Sequence, residues 1–562
     1  MINRRHALQG GGLLAASLLL AACGGSVGGG VAPHALKLGG TDINPQPRDK
    51  VRDGGNLRLP MSLFPSNFNI NQVDGSNTDM LLITYAVLPN LFKGTADGGV
   101  VLNTDYLSSA SVTSTSPQVI TYTIAPKAVW SDGSPITYRD FVAYWRALNG
   151  TNPKYQVSGT AGYEDIVSVA MGGDEKQVVV TFGKPFGEWQ TLFSSLTPAS
   201  LNSTPDAFNT GWRATFPITS GPFTVRSIDP GSQTVTLARD PRWWGTPPKL
   251  DQVILRRYDT AALPDALAND ELDVYGIGAI LDLLRRAQQT AGVVVRGAPG
   301  RFAFNVTFNG AAGSPLADLP VRRAIAQAID RQQIVLRTLG QAVPSAQPDG
   351  SHLYAPGSKQ YRDNAGALPY DPAQAQRTLD SLGWTRQGTG PNAVRAKGGK
   401  KLSLRLVFGQ DATNHDLAVT IQNQLAQIGV AVVITEVGAN QFFPDYMTPG
   451  NFDVALLGWV SNPFPVSGSA SVYQLPTGTN FRQNYGRIGS ARIDALLDQA
   501  LAEIDDGKRA ELGNQIDALV WQAAHSVILF AVPGLVATRS TLANYGARGF
   551  ADPDFINAGF VK

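Results

Sequence analysis

At 562 residues the chain is too long for one ordinary hydrophobic core, so two or three compact units are expected. Hydrophobic residues make up 43%, enough for normal globular cores, while charged residues are only 16% and the formal net charge is +2, a balance that excludes the concentrated basic face of a nucleic-acid binder. The single cysteine, Cys23, excludes an intramolecular disulfide and a cysteine-based metal cluster.

Arg4 and Arg5 precede an apolar run at 13–22 that is too short to span a bilayer comfortably, and small residues lead into Cys23. Residues 1–22 therefore read as a secretory signal peptide. Leu20-Ala21-Ala22-Cys23 resembles a lipobox, which implies that Cys23 is lipidated and tethers the mature protein, outside the cytoplasm, to the cytoplasmic membrane. Residues 23–52, rich in Gly and Pro and without periodicity, read as a lipidated flexible tether. The Gly24-x-Ser26-x-Gly28 within it lacks the flanking strand and helix of a nucleophile elbow.

A first strand is predicted at 56–59, followed by a polar and aromatic loop that carries Asn69, Asn71 and Asp74. Residues 119–126 alternate as a strand, and Thr137 can cap a helix whose Phe141, Tyr144, Trp145 and Leu148 share one face. Phe302, Phe304, Val306 and Phe308 alternate again. After a loop with Gly310, Gly313 and Pro315, a helix is predicted with Val321, Ala324, Ile325, Ala328 and Ile329 inward and Arg322, Arg323, Asp330 and Arg331 largely off that face. Asp371 and Pro372 open another helix, which Gly383 ends. A strand at 402–408, a helix with Leu417, Ile421, Leu425 and Ile428, and an apolar strand at 430–437 that reads as buried on both sides imply a parallel, right-handed βαβ unit. A strand at 452–459, helices at 490–505 and 508–525, and a last strand at 527–532 complete the series.

Of five histidines, only His352, His415 and His525 lie beyond the tether, far apart in sequence, and there is no HExxH, no P-loop and no elbow in a strand-turn-helix context. No enzyme activity, cofactor or metal site is expected.

Several motifs fall in a telling order: Trp130-Ser131-Asp132-Gly133-Ser134-Pro135-Ile136-Thr137 with Asp140, Gly221-Pro222-Phe223, Arg239-Asp240-Pro241-Arg242-Trp243-Trp244, the segment LANDELDV at 267–274, the phenylalanine-asparagine strand leading through Asp318 into VRRAIAQAIDRQQIV at 321–335, and YDPAQAQRTLDSLGW at 370–384. Together they resemble the extracellular solute-binding proteins that serve peptide ABC importers, the dipeptide- and oligopeptide-binding family 5 type, over residues 53–562. The resemblance implies an α/β, two-lobed periplasmic-binding-protein fold of the class with an extra subdomain in the first lobe. Lobe I would comprise 53–300 plus 530–562, with the subdomain near 80–215; lobe II would be 301–529, with hinge crossings near Arg301 and Ile528. It also implies a monomeric receptor that captures short peptides in an interlobe cleft and delivers them to permease and ATPase subunits.

In that family the loop after the first strand lines the cleft, which makes Asn69, Asn71 and Asp74 candidate ligand contacts, whereas the Trp130 block is a structural corner and Trp243 and Trp244 plug the first lobe. The second candidate segment is Gly458-Trp459-Val460-Ser461-Asn462-Pro463-Phe464, at the end of a strand, where open α/β sheets place ligands. Trp459, Val460, Ser461, Asn462 and Phe464 are its candidate contacts, with Trp459, Phe464 and Tyr473 as apolar walls. The family has an aspartate at the position of Asn462, which pairs with the peptide's α-ammonium; a neutral amide accepts a hydrogen bond but brings no opposite charge. Three readings stay open: another carboxylate, Asp74 or Asp445, supplies the charge; the peptide is held through its main chain; or the solute is a blocked peptide, a saccharide, or a metal or haem complex.

Overall fold

The computed structural model describes residues 38–390, 393–478 and 480–562. The expected signal peptide, Cys23 and the first part of the expected tether lie outside the described residues.

In the first lobe, β1 (Asn56–Met61) points Leu57, Leu59 and Met61 into the core. The sheet at 107–182 is antiparallel throughout: β2 (Leu107–Thr115), β3 (Gln118–Ile124), β4 (Ile166–Met171) and β5 (Gln177–Phe182) lie in the order β2-β3-β5-β4. Helix α1 (Tyr138–Leu148) follows β3, opened by a capping box in which Thr137 N donates to Asp140 at 2.9 Å. Then β6 (Phe223–Asp229), β7 (Thr234–Arg239) and β8 (Gln252–Arg257) join β1 in the order β1-β8-β7-β6, with β1 and β8 parallel. The two sheets share one apolar core through Leu57, Tyr122, Phe141 and Phe223. Trp130 is buried at its corner, and Trp243 packs on Trp244 at 4.2 Å.

A short sheet of β9 (Val274–Gly276) and β10 (Val293–Ala298) leads to the second lobe. There β11 (Phe302–Phe308) precedes α2 (Leu319–Gln327) and α3 (Arg331–Leu339). The single helix expected here is broken, because Asp330 turns out of it and accepts from Gln333 N (2.9 Å) as a new N-cap. Arg322, expected off the core face, is buried and donates to the carbonyls of Leu316, Ala317, Ala523 and Ala524. Helix α4 (Pro372–Ser381) opens as predicted, with Asp371 accepting from Gln374 N at 2.8 Å.

The βαβ unit is β12 (Ser403–Gly409), α5 (Ala412–Gln427) and β13 (Ala431–Val437), with the strands parallel. With β14 (Val454–Val460) and β15 (Ser526–Ala531) the order is β13-β12-β14-β11-β15, so β13 is an edge strand with Val433 exposed, not one buried on both sides. Between β14 and β15 lie α6 (Pro465–Tyr473), α7 (Ala491–Ala502) and α8 (Asp506–Gln522). Finally β16 (Gly534–Arg539) slots between β9 and β10.

The chain thus passes between sheets at 299–301 and again at 532–533. The second crossing lies later than Ile528, because Ile528 still pairs with Asn305 of β11. The crossings run side by side: Val532 N donates to Phe302 O at 2.7 Å, and a Cβ on Gly300 would lie 1.6 Å from Val532 O. Residues 42–52, expected as free tether, are instead fastened to the C-terminal segment. Asp42 and Ala547 exchange backbone hydrogen bonds, Gln46 N donates to Asn544 Oδ1 (2.8 Å), Arg48 donates to Ile556 O (2.9 Å) and Val51 is fully buried. These partners lie some 500 positions away in sequence, so local composition gives no sign of them.

Candidate functional site

The site is built at the end of β14, where the strand leaves its sheet beside the first crossing. Gly458 lets the Phe302 ring lie across the strand, since a Cβ there would meet the ring at 2.0 Å. Trp459 is half-buried and stacks on Tyr485 (6.5 Å, 18° between planes), which also meets Phe443 and Phe481. Val460 is 58% exposed. Ser461 N donates to Arg301 O at 2.7 Å, tying the loop to the hinge.

Asn462 turns its Oδ1 onto Phe464 N (2.7 Å), so the acceptor end of its amide is engaged within the loop and the NH2 end remains as donor. Helix α6 then starts without a cap of its own, because the N-cap residue is Phe464 and Pro465 brings no N–H. The missing acceptor comes from the first lobe. Glu188, 3% exposed, accepts from Val466 N (3.1 Å) and Ser467 N (2.8 Å), with the Arg509 guanidinium 4.0 Å away. Burial pushes its pKa up, opposed by these hydrogen bonds and by Arg509.

A cavity of about 80 Å³ lies between the lobes here, with Gly98 and Glu188 on one side and Tyr354, Pro463, Phe464 and Arg509 on the other. A smaller one of about 10 Å³ adjoins Ser461, Asn462, Tyr354 and Phe550. Two cavities of about 390 Å³ lie elsewhere, one bordered by Tyr85, Lys93, Asp105 and Asp552 in the first lobe, the other by Arg58 and Asp273. Neither is lined by the 459–464 segment, and charged groups in them pair with one another, as Lys93 does with Asp105 (3.4 Å) and Asp273 with Arg58 (2.9 Å).

The other candidate loop makes its side-chain hydrogen bonds within the first lobe. Asn69 is fully buried and commits both ends of its amide, donating to Phe208 O (2.9 Å) and accepting from Asn71 N (3.2 Å), so it is closed to a solute. Asn71 accepts from Tyr144 Oη (2.9 Å), and its Nδ2 is buried without a partner among the described residues. Asp74 is exposed on the same loop, its carboxylate accepting from Gln72 Nε2 (3.4 Å) and its N–H donating to Gln72 Oε1 (2.6 Å). Asp445 is exposed on the turn after 442. Asp445 lies beside Tyr446, which packs against the same apolar cluster as Trp459, whereas the carboxylate bonded to the start of α6 is Glu188, which sequence reasoning missed. Its one sequence signal is indirect: a helix opening Phe-Pro lacks an acceptor at its N-cap. Tyr473, expected as a cleft wall, is buried in the core against His352 and His525.

Behind the site, the second lobe holds a buried polar cluster. His352 Nδ1 lies 2.8 Å from Asp517 Oδ1, and Asn364 donates to the other oxygen of Asp517 at 2.6 Å. Burial, with smaller contributions from Asp517 and Asp363, pushes Asp349 up to about 8, and burial pushes His525 down to about 3. Among the described residues no group of three or more His, Cys, Asp or Glu could hold a metal ion, and no helix is long and apolar enough to cross a membrane.

The family model of bacterial extracellular solute-binding proteins, family 5 Middle, matches residues 103–481. The oligopeptide-binding protein OppA of Mycobacterium tuberculosis is 42% identical over 525 residues, covering 93% of this chain and 87% of that protein. Among solved structures, the periplasmic EDTA-binding protein EppA superposes with a TM-score of 0.84 at 26% identity, over 95% of this chain and 100% of its own. The oligopeptide-binding protein AppA from Bacillus subtilis, in complex with a nonapeptide, shares the fold with a TM-score of 0.72 at 20% identity, over 91% of this chain and 100% of its own. The chain, with its two lobes and paired crossings, belongs to the bacterial extracellular solute-binding proteins of family 5.

Proposed function

We propose that this protein is the solute receptor of an ABC importer, and that it captures short peptides between its lobes and hands them to a membrane permease powered by an ATPase subunit. It works as a monomer, held at the outer face of the cytoplasmic membrane by lipid on Cys23, and turns over no substrate. The observation that carries the peptide reading is the 42% identity to an oligopeptide-binding protein across 93% of the chain.

The loop chemistry is in keeping with it. An amide at 462 whose acceptor is already engaged offers N–H groups, and a peptide main chain supplies carbonyls to meet them. The aromatic group around Tyr485 gives a tolerant apolar wall for side chains, and water fills the remainder of such pockets.

Native mass spectrometry of the purified Cys23→Ser protein, followed by denaturation and identification of what is released, tests the proposal. A ladder of short peptides of mixed sequence is the expected result. A single non-peptide mass, or a protein that peptides fail to stabilise, overturns it. The same variant tests the anchor, since it should move to the soluble fraction.

A further inference from the structure

The turn at 184–190 of the first lobe is pressed into the helices of the second. Gly187 N donates to Leu501 O (2.6 Å), Arg509 donates to Gly187 O (3.3 Å), and Lys184 faces Asp498 at 3.4 Å. A Cβ on Gly187 would stand 1.9 Å from Glu503 O, so the close approach needs glycine. Next to it Glu188 bonds the first free N–H groups of α6, which the helix cannot satisfy for itself.

From this juxtaposition we infer that Gly187 and Glu188 form an interlobe latch: the Glu188 carboxylate caps α6 across the cleft and holds the lobes together, and Gly187 sets how closely they meet. Two charge-assisted N–H bonds, the favourable end of the helix dipole and Arg509 all act on the same carboxylate. When the lobes part, Glu188, Val466 N and Ser467 N each return to water. The gain is therefore the difference between bonds in a dry interface and hydration of a carboxylate, which makes the latch a bias on the equilibrium and not a lock. Burial raises the pKa of Glu188, the mark of that desolvation cost.

The latch adjoins the loop that carries Ser461 and Asn462, so it acts on the same closure that traps a solute. Apparent affinity then depends on the fraction of molecules whose lobes are joined, whatever the solute. The inference rests on the two-lobed fold and does not require that the solute be a peptide.

Single-molecule energy transfer tests it in the full chain carrying Cys23→Ser, with fluorophores on cysteines introduced at the exposed Ser111 and Arg492 and no solute added. Glu188→Gln keeps the shape and removes the charge, while Gly187→Ala keeps the carboxylate and inserts a methyl wedge against Glu503 O. Each should raise the ratio of separated to joined molecules by about tenfold or more at unchanged circular dichroism. An unchanged ratio in the folded variants overturns the latch, and if Glu188→Gln does not fold, the Gly187→Ala ratio decides alone. Peptide binding plays no part in this readout, so the latch and the peptide reading can fail separately.

Discussion

The loop after β1 and the loop after β14 draw on the same residue types, Asn, Ser, Pro and Phe, and both follow a strand that enters its lobe's core. The first is bonded almost wholly within its own lobe: Asn67 and Asn69 accept from the N–H groups of Asn69 and Asn71 and donate to the carbonyls of Asn209 and Phe208, Asn71 accepts from Tyr144 Oη, and Gly75 packs so tightly that a Cβ would meet Asn69 O at 2.1 Å. The second is left incomplete by its own residues, with an exposed Asn462 and a helix start that needs an acceptor from the opposite lobe. Polarity of a loop therefore does not mark a site. What sets the second apart is a helix start whose first N–H groups are met by a carboxylate of the opposite lobe.

The sharpest way to break this comparison is Asn69→Ala. Losing two buried hydrogen bonds should lower stability in denaturant unfolding by about 2–4 kcal/mol while folded protein still binds its solute. Weakened binding at full stability would instead return the first loop to the site.

A smaller effect should come from the foundations of the second loop, which are ionisable where those of the first are neutral amides. Asp349, raised to about 8, keeps its proton in the folded state while the unfolded chain has lost it above about pH 4. Its contribution is therefore full below pH 4 and is lost as pH rises toward 8. His525, lowered to about 3, acts oppositely, and its contribution is lost as pH falls from 6.5 toward 3. The two slopes oppose each other between about pH 4 and 6.5. Above that only Asp349 remains, so unfolding free energy should fall by about 2 kcal/mol from pH 6.5 to 8, and Asp349→Asn should flatten that limb of the profile.

Trp459→Ala removes the face that stacks on Tyr485 and should weaken solute binding by about tenfold in calorimetry. An unaltered affinity would make the aromatic group part of the core alone. The smallest effect is expected of Asn462→Asp, which keeps the bond from Phe464 N and adds a charge at an exposed position. It should bind peptides with a free amino terminus about threefold better relative to their N-acetylated forms, and equal ratios in both proteins would place the amino terminus elsewhere.

Much of this architecture could be read along the chain because it rests on local chemistry. The Thr137 and Asp371 caps, the βαβ unit and the strand at β14 follow from residues a few positions apart. The misreadings arose where a distant partner decides. Arg322 looked like a surface charge because its carbonyl acceptors include Ala523 and Ala524, and β13 looked doubly buried because apolar content does not reveal an edge position. The second crossing is expected near Ile528, a few residues early, because the pairing of Ile528 with Asn305 spans 223 positions in sequence, which alternation cannot convey. Glu188 and α6 are separated by more than 270 positions, and neither segment names the other.

The fastening of residues 42–51 has a mechanical consequence. Traction arriving along the chain from ahead of residue 42 would be taken up by the bonds of Asp42, Gln46 and Arg48 to residues 544–557 and by the Asp42–Arg296 ion pair (3.1 Å). Those attachments all belong to segments outside β11–β15, and the loaded segment reaches the first crossing through Arg301, which donates to Phe550 O. A pull applied there would be spread over the first lobe before it reached the second.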